Sequence, residues 1–373
     1  MSRPLRILLV NKAYPPHIGG VETLVRQYAR CFQTQFSAEV QVLVCQEKGK
    51  TARETIEGVP VLRAGSIGTY FSCPLSGSFL RYFRKYAKQA DVVMIHMPFP
   101  LADLACLLSG YRGRVVLAWH SDVIKQKTLL RFYAPLLRWL LRRADCILTA
   151  TQGHIDRSAF LPAVREKCKV IPYGIDLAAY RAAPAYPVLQ PHSNHPKAVK
   201  ALFVGRLVYY KGVTVLLRAM QQVQNCELFL IGSGKLQDTL QQMAEGMDTV
   251  HFLGSLSDAD LRAALQECDF LVLPSVANSE AFGLVQLEAM VYGKPVINTA
   301  LPTGVPHVSL DGETGLTVPP ESETALAKAM QTLVSDADLR RRYGAAAKKR
   351  VETVFAEDVV MQQVYDVLKD SIL

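Results

Sequence analysis

Short apolar runs alternate with amphipathic stretches along most of the 373-residue chain. In the first half the runs are 6–10, 40–45, 90–96, 114–119, 146–150 and 169–174. In the second they are 201–205, 227–232, 250–254, 269–275, 295–298 and 315–318. Runs that are apolar at nearly every position, not every second one, are strands covered on both faces. The stretches between them supply the cover. After the first run, Val21, Leu24, Val25, Tyr28 and Phe32 recur at spacings of three and four, which sets them on one helical face. The pattern predicts an α/β protein with two doubly wound, Rossmann-like domains facing across a cleft and ligands at the carboxyl ends of the strands.

The alternation breaks at 181–199, where Pro184, Pro187, Pro191 and Pro196 cluster, and this stretch reads as an interdomain linker. The expected division is a first domain over 1–183, a second over 184–355, and a C-terminal helix over 356–373 packing back toward the first. No apolar run approaches the roughly 18 residues of a membrane span. The start, RPLRILLVN, is too short in its apolar part for a signal peptide and has no small-residue cleavage site, so it reads as a buried strand. The eight cysteines include no C-x-x-C and fall mostly in apolar segments. Buried free thiols in a reducing cytoplasm fit that usage better than a zinc site or a disulfide framework.

Charge changes the picture. Residues 1–183 carry 26 lysines and arginines against 12 acids, and the rest carry 16 against 21, within a net charge of +9. A basic half joined to an acidic half predicts that the first meets an anionic partner: nucleic acid, an anionic membrane surface or a phosphorylated acceptor. No nucleic-acid recognition motif accompanies the charge. Two segments interleave basic and aromatic residues, as a helix docking on an anionic membrane does. One has Arg81, Arg84, Lys85 and Lys88 beside Phe79, Tyr82, Phe83 and Tyr86. The other, 125–143, has Lys125, Lys127, Arg131, Arg138, Arg142 and Arg143 among Leu129, Leu130, Phe132, Leu136, Leu137, Trp139 and Leu140. Packed helices with solvated basic faces would have the same sequence.

The candidate chemistry sits where strands end. FVGRLVYYKG (203–212) leaves a strand, and Arg206 and Lys211 can converge on one diphosphate there. In PSVANSEAFGLVQLEAMVYGKPVIN (274–298) a polar loop reaches Glu280. A helix is expected to start near Gly283, with the amides of Ala281, Phe282, Gly283 and Leu284 as an anion site, and to close at Gly293. Glu288 stands between Leu287 and Ala289 and needs a polar partner. Ribose and sugar hydroxyls suit both carboxylates. Gly19-Gly20 open the first helix, His120 follows a strand inside WHSD, and Gly232 and Gly254 mark turns that can border a nucleotide. Two solvated cations, a dipole acid, a water-facing Glu288 and a structural histidine are the plainer readings of the same residues.

Taken together, the E-x7-E pair within SEAFG…LE, the GR…KG loop, the early GG and the IPYGID segment (171–176) resemble the retaining GT-B glycosyltransferases of family 4, over essentially the whole length. The resemblance implies a nucleotide-diphosphate sugar as substrate, with the 1–183 domain binding the acceptor and the 184–355 domain the donor. Arg206 and Lys211 would bind the diphosphate and Glu288 the ribose. Glu280 would hold donor-sugar hydroxyls, with the amides of 281–284 nearby. Gly19 and Gly20 would close over the phosphates, and His120 would touch the sugar near its C6 hydroxyl. HMPFP (96–100), HSDVIKQK (120–127), VYYKG (208–212) and TGV (303–305) are similar to bacterial polysaccharide mannosyltransferases, which implies GDP-mannose and a saccharide or lipid-diphosphate-linked acceptor at the inner face of the cytoplasmic membrane. His307 departs from the acid common in the wider family.

No strand-end D-x-D is present, and Asp258-Ala-Asp260 after Ser257 reads as a capped helix start, so no metal or other cofactor is expected. No carboxylate is placed as a nucleophile, and the resemblance implies same-face attack with the leaving phosphate taking the acceptor proton. The competing readings are a UDP-sugar-dependent enzyme of the family, a sugar-nucleotide epimerase on the same fold, and a non-catalytic glycosyltransferase-like subunit.

Overall fold

The computed structural model describes residues 3–17, 19–70, 73–122 and 127–370, with side chains in the helix Lys127–Arg143 from Arg131 onward. Lys125 and the side chains of Lys127, Leu129 and Leu130 therefore lie outside the described residues. The chain divides into two compact units, Met1–Pro172 with Val360–Leu373, and Tyr173–Val359. It passes from the first to the second after Pro172, earlier than the 183 read from the sequence, and returns after Val359.

Among the described residues the first unit contains ten strands: β1 (Arg6–Val10), β2 (Glu39–Cys45), β3 (Ala52–Ile56), β4 (Val59–Ala64), β5 (Thr69–Tyr70), β6 (Cys73–Pro74), β7 (Val92–Met97), β8 (Arg114–Trp119), β9 (Cys146–Thr149) and β10 (Cys168–Val170). Eight of them form one sheet in the order β10-β9-β8-β7-β1-β2-β4-β3, and β5–β6 is a separate hairpin. All ladder pairs in the large sheet are parallel except the edge pair β3–β4. The apolar runs predict the buried strands because both their faces are covered. The strands β3 to β6 are missing from that reading: ARETI of β3 is an exposed edge carrying charge, which also blunts it against pairing with another chain, VPVLRA of β4 interrupts its apolar positions with Pro60 and Arg63, and β5 and β6 are two residues each. From Val360 on, the helix Glu357–Lys369 belongs to this unit. Its Tyr365 stacks on Phe36 at 4.2 Å between ring centroids, and the Val367 carbonyl accepts from Arg114 Nη2 at 2.8 Å.

The second unit is a six-stranded, wholly parallel sheet of β11 (Val199–Val204), β12 (Cys226–Ile231), β13 (Val250–Gly254), β14 (Phe270–Val272), β15 (Val296–Thr299) and β16 (Gly315–Val318). Its order, β13-β12-β11-β14-β15-β16, reverses between β11 and β14. Such a reversal splays the loops leaving the two strands and opens a crevice between them.

The proline-rich stretch belongs to this second unit, and two carboxylates pin it. Glu267 accepts the amides of Val188, Leu189 and Gln190, each at 2.7 Å. The fully buried Glu227 accepts from Ser193 Oγ, from the amides of Asn194 and His195 at 2.8 and 3.1 Å, and from His251 Nε2 at 2.9 Å. Burial pushes the Glu227 carboxyl up, but these donors outweigh it and hold the group below its usual value. All eight cysteines are free, six of them buried.

Candidate active site

In the second unit the two loops singled out by sequence leave β11 and β14, the strands on either side of the reversal. They are joined by the amide of Val276 donating to the Tyr210 carbonyl at 2.9 Å. Gly212 makes this contact possible. It sits at φ +68°, and a Cβ there would come within 1.9 Å of the Pro274 carbonyl oxygen. The close approach sets Lys211 beside Glu280, with Nζ 2.5 Å from Oε2. Ser275 Oγ donates to the same carboxylate oxygen at 3.0 Å. Both charged side chains are largely buried, at 12% and 10% exposure. Arg206 is exposed and reaches the Tyr210 hydroxyl through Nη2 at 2.8 Å. The unit thus brings Arg206, Lys211 and Glu280 into one corner at the carboxyl edge of its sheet.

Glu288 is the other acid. It is half-buried in the helix Val285–Val291, and its carboxyl hydrogen-bonds the Tyr180 hydroxyl. Burial raises its proton affinity, while Tyr180, Arg262 and Lys211 act in the opposite direction and offset it only in part. Arg262 in turn lies over the Tyr180 ring at 4.8 Å and donates to the Ala179 carbonyl at 2.9 Å. A carboxyl group in this setting can accept from ligand hydroxyls, and Tyr180 fixes its direction.

The helix start differs from the sequence reading. It falls at Val285 with Leu284 as its N-cap residue, not near Gly283, and the helix has only seven residues. Ala281, Phe282 and Gly283 form the preceding loop. That loop is anchored by the buried Phe282 ring, 4.9 Å from Tyr173 and 6.2 Å from Phe355. Behind it, the buried Gln286 donates to the Phe282 and Val305 carbonyls at 3.0 and 3.2 Å and accepts from Asn298 Nδ2 at 2.9 Å. The C-terminal end is as expected, with Gly293 in the left-handed region at φ +68°. Gly232 and Gly254 end β12 and β13. A Cβ on Gly232, at φ +130°, would meet the Gly205 carbonyl oxygen at 2.0 Å, whereas Gly254 faces open space.

The remaining candidates belong to the first unit. Gly19 is the N-cap residue of the helix Gly20–Thr34 and Gly20 its first residue. Nothing lies within 4 Å of a Cβ on Gly20, but the Glu22 carboxylate folds against Gly19, with Oε2 2.1 Å from where a Cβ would be. An anion arriving at this helix start meets that acid. His120 is buried at the end of β8, and its Nε2 lies 3.0 Å from Nδ1 of the equally buried His96 at the end of β7. Burial drives both imidazoles toward the neutral form, His120 down to about 3. A cleft of about 650 Å³ opens at the carboxyl ends of β1 and β2, lined by Lys12, His17, Glu22, Glu47, Lys48 and Thr69 among others. In the helix Gly77–Ala87, Phe79 and Phe83 are buried in the core, which leaves Arg81, Arg84, Lys85 and Lys88 as an exposed basic face. Of the four aromatic residues in that docking reading, Phe79 and Phe83 thus cover the sheet, while Tyr82 and Tyr86 are half-buried.

Comparison with known proteins decides the family. The model for "Glycosyl transferases group 1" matches residues 189–350, and that for "Glycosyltransferase Family 4" matches residues 18–179. D-rhamnosyltransferase WbpZ of Pseudomonas aeruginosa is 35% identical over 94% of this chain and 92% of its own. The chain belongs to glycosyltransferase family 4. O-antigen chain mannosyltransferase C of Escherichia coli is 29% identical over 95% of both chains. Among solved structures, Anabaena HepE in complex with UDP superposes with a TM-score of 0.79 over 98% of this chain and 100% of that one. At 20% identity this speaks to the fold alone. The protein is thus a nucleotide-sugar-dependent glycosyltransferase with the GT-B fold.

Several residues of this glycosyltransferase escaped the sequence reading. Tyr180 and Ser275 contact the two glutamates, and only the nearness of Tyr180 to IPYGID could have marked it. Asp122, inside WHSD, accepts from Trp119 Nε1 at 3.2 Å, Ser158 Oγ at 2.7 Å and the Ala159 amide at 2.8 Å, which holds the chain in place two residues after His120. His96 lay in the singled-out HMPFP segment without an assigned role.

Proposed function

We propose that this glycosyltransferase transfers mannose from GDP-mannose, with retention at the anomeric carbon, to a saccharide or lipid-diphosphate-linked saccharide in polysaccharide or O-antigen assembly. The observation that carries this reading is the corner where Lys211, Arg206 and Glu280 meet at the sheet reversal. As the anomeric C–O bond breaks, negative charge grows on the leaving nucleotide diphosphate. Two cations beside it stabilise that charge where a metal would otherwise be needed. Glu280, turned by Ser275 and Lys211, accepts from sugar hydroxyls, and Glu288 accepts from the ribose. Gly232 and Gly254 border the nucleotide, the amides of 281–284 attend the phosphates, and Gly19 and Gly20 close over them. His120 contacts the transferred sugar. The acceptor oxygen attacks from the face the phosphate leaves, and its proton passes to that phosphate.

The sugar assignment is supported by the rhamnosyl and mannosyl transfer for which the two relatives are named, since rhamnose and mannose share the manno configuration. The 650 Å³ cleft in the first unit is of a size and polarity suited to acceptor saccharide. No helix among the described residues is long and apolar enough to cross a membrane. Peripheral docking on the anionic inner face is supported by the exposed basic face of Gly77–Ala87. Exposed Leu104, Leu107 and Leu108 on the helix Pro100–Ser109 add to it, as does Phe132, 84% exposed, on the helix packed against it. A thermal-shift series with GDP, UDP and ADP tests the donor, because only a ligand of the folded state raises the midpoint. GDP is expected to give the largest rise. A preference for UDP would overturn the mannose donor and favour the UDP-sugar alternative.

A further inference from the structure

The segment VYYKG (208–212) sets two tyrosines side by side, and the fold gives them different surroundings. Tyr209 is 70% exposed, and its hydroxyl lies 3.5 Å from Glu321 Oε1, the outer limit of a hydrogen bond. Tyr210 is half-buried, and the Val276 amide fixes its backbone by donating to its carbonyl at 2.9 Å. The Tyr210 hydroxyl accepts from Arg206 Nη2 at 2.8 Å. Its ring centroid lies 5.9 Å from Arg206 Cζ and 5.7 Å from Lys211 Nζ. Lys211 also rests against Gly205, the residue before Arg206, with Nζ 3.5 Å from where a Cβ would be. Both cations of the corner therefore meet at one phenol ring.

The two cations are held by different means. Lys211 faces Glu280, and both are largely buried. Arg206 is exposed, and among the described residues it has no ion pair and only the hydrogen bond to Tyr210. An arginine left in water spreads over many rotamers, and ordering it when a ligand arrives costs side-chain entropy. A carboxylate partner would order it too, but would cancel the charge that a diphosphate needs and compete with that diphosphate for the guanidinium. A phenol oxygen accepts one of the five N–H bonds and adds no charge, which leaves four donors and the full positive charge for the ligand. Tyrosine has only two side-chain torsions, so a backbone held by Val276 also holds the hydroxyl in place.

We infer that Tyr210 is a positioning residue whose hydroxyl holds the Arg206 guanidinium ready for the donor diphosphate without neutralising it. The inference rests on the reading that Arg206 binds that diphosphate. It gives the second tyrosine of VYYKG a task that the first does not share, and it meets the requirement that a stabiliser of developing charge be in place before the charge appears.

The test compares Tyr210→Phe, which deletes one oxygen and keeps the ring, with Tyr209→Phe as control, both in the full chain. In ¹⁵N spectra of arginine side chains, the Arg206 Nε–H signal is assigned by its loss in Arg206→Met. Without ligand it should report restricted motion in the unsubstituted protein. Tyr210→Phe should release it, with an order parameter below about 0.6, and Tyr209→Phe should not. GDP release from GDP-mannose with water as acceptor should fall in kcat by roughly threefold to tenfold in Tyr210→Phe, the worth of one hydrogen bond. KM should stay within about twofold, since the charge that Arg206 meets is greatest in the transition state. In an Arg206→Met background the same substitution should cost less than about twofold, because nothing remains to be positioned, whereas loss of packing alone would cost the same in both backgrounds. An Arg206 signal equally mobile with and without the hydroxyl, or an equal rate loss in both backgrounds, would overturn the inference. Should the unsubstituted enzyme release no GDP from GDP-mannose, the donor reading fails. Should Arg206→Met keep the full rate, the diphosphate reading fails. In either case the spectra still decide whether Tyr210 orders Arg206.

Discussion

The two units place different electrostatics at the carboxyl edges of their sheets. In the second, the loops after β11 and β14 press Lys211 against Glu280 and leave Arg206 exposed beside them. In the first, the ends of β7 and β8 press His96 against His120, and burial leaves both rings without charge. Each pair lies at the carboxyl edge of its own parallel sheet, where this architecture collects ligands. The difference follows from what each buried side chain has for a partner. A lysine facing a carboxylate keeps an ionic partner, whereas an imidazole facing an imidazole gains nothing from a proton and sheds it. Under the proposed function, one region would serve a leaving group that gains charge, the other neutral hydroxyls.

Breaking the charged corner should have the largest effect. Lys211→Met is expected to cut turnover by about 100- to 1,000-fold, the range for loss of one preorganised stabiliser of transition-state charge. It also strands the buried Glu280, so stability should drop, and adding Glu280→Gln should restore much of the thermal midpoint without restoring turnover. If Lys211→Met kept more than a tenth of the rate, the corner would not be the charge-stabilising site. Next comes Glu280→Gln, expected to lower turnover by about tenfold to a hundredfold through one weakened charged hydrogen bond, with nucleoside diphosphate binding near normal. Steady-state rates beside calorimetric titration with GDP measure both quantities.

Glu288→Gln sharpens the contrast within the second unit. Nucleoside diphosphate affinity should weaken by about tenfold, from loss of one charged contact. Stability without ligand should move the other way. Because burial raises the proton affinity of Glu288 in the folded chain, its contribution is full below the ordinary carboxylate value of 4.5 and is lost as pH rises through the folded value. The neutral Gln avoids that loss, so the variant should melt higher at pH 7, and its advantage should shrink toward pH 4.5. A variant that binds GDP normally would place the ribose contact elsewhere. The smallest expected effect is that of a chelator. Turnover should be unchanged in excess EDTA, and strict dependence on added magnesium or manganese would show that Arg206 and Lys211 do not suffice.

The charged corner was largely legible in the sequence because its residues sit in short loops directly after apolar strands. The strand order was implied only by class, yet it is what makes the loops after β11 and β14 neighbours. Tyr180 was not legible as the partner of Glu288, since a long-range hydrogen bond leaves no local spacing. His96 was hidden differently, as one more position in a buried strand. The start of the helix at Val285 was misread because the buried Phe282 and the left-handed Gly283 hold the chain in a loop for two more residues. The prolines of 184–196 signalled a break correctly, but what fills the break is set by Glu227 and Glu267, distant acids that supply acceptors to the amides around the prolines.

The return of the chain to the first unit after Val359 has a consequence for how the protein is made. Tyr365, Val367 and Asp370, which pack or bond with Phe36, Arg114 and Lys169, leave the ribosome only after the second unit has done so. The unit begun first therefore gains its final helix only after the whole of the second unit has emerged. A truncation that removed the helix Glu357–Lys369 would leave Arg206, Lys211 and Glu280 in place and damage the unit whose synthesis began first.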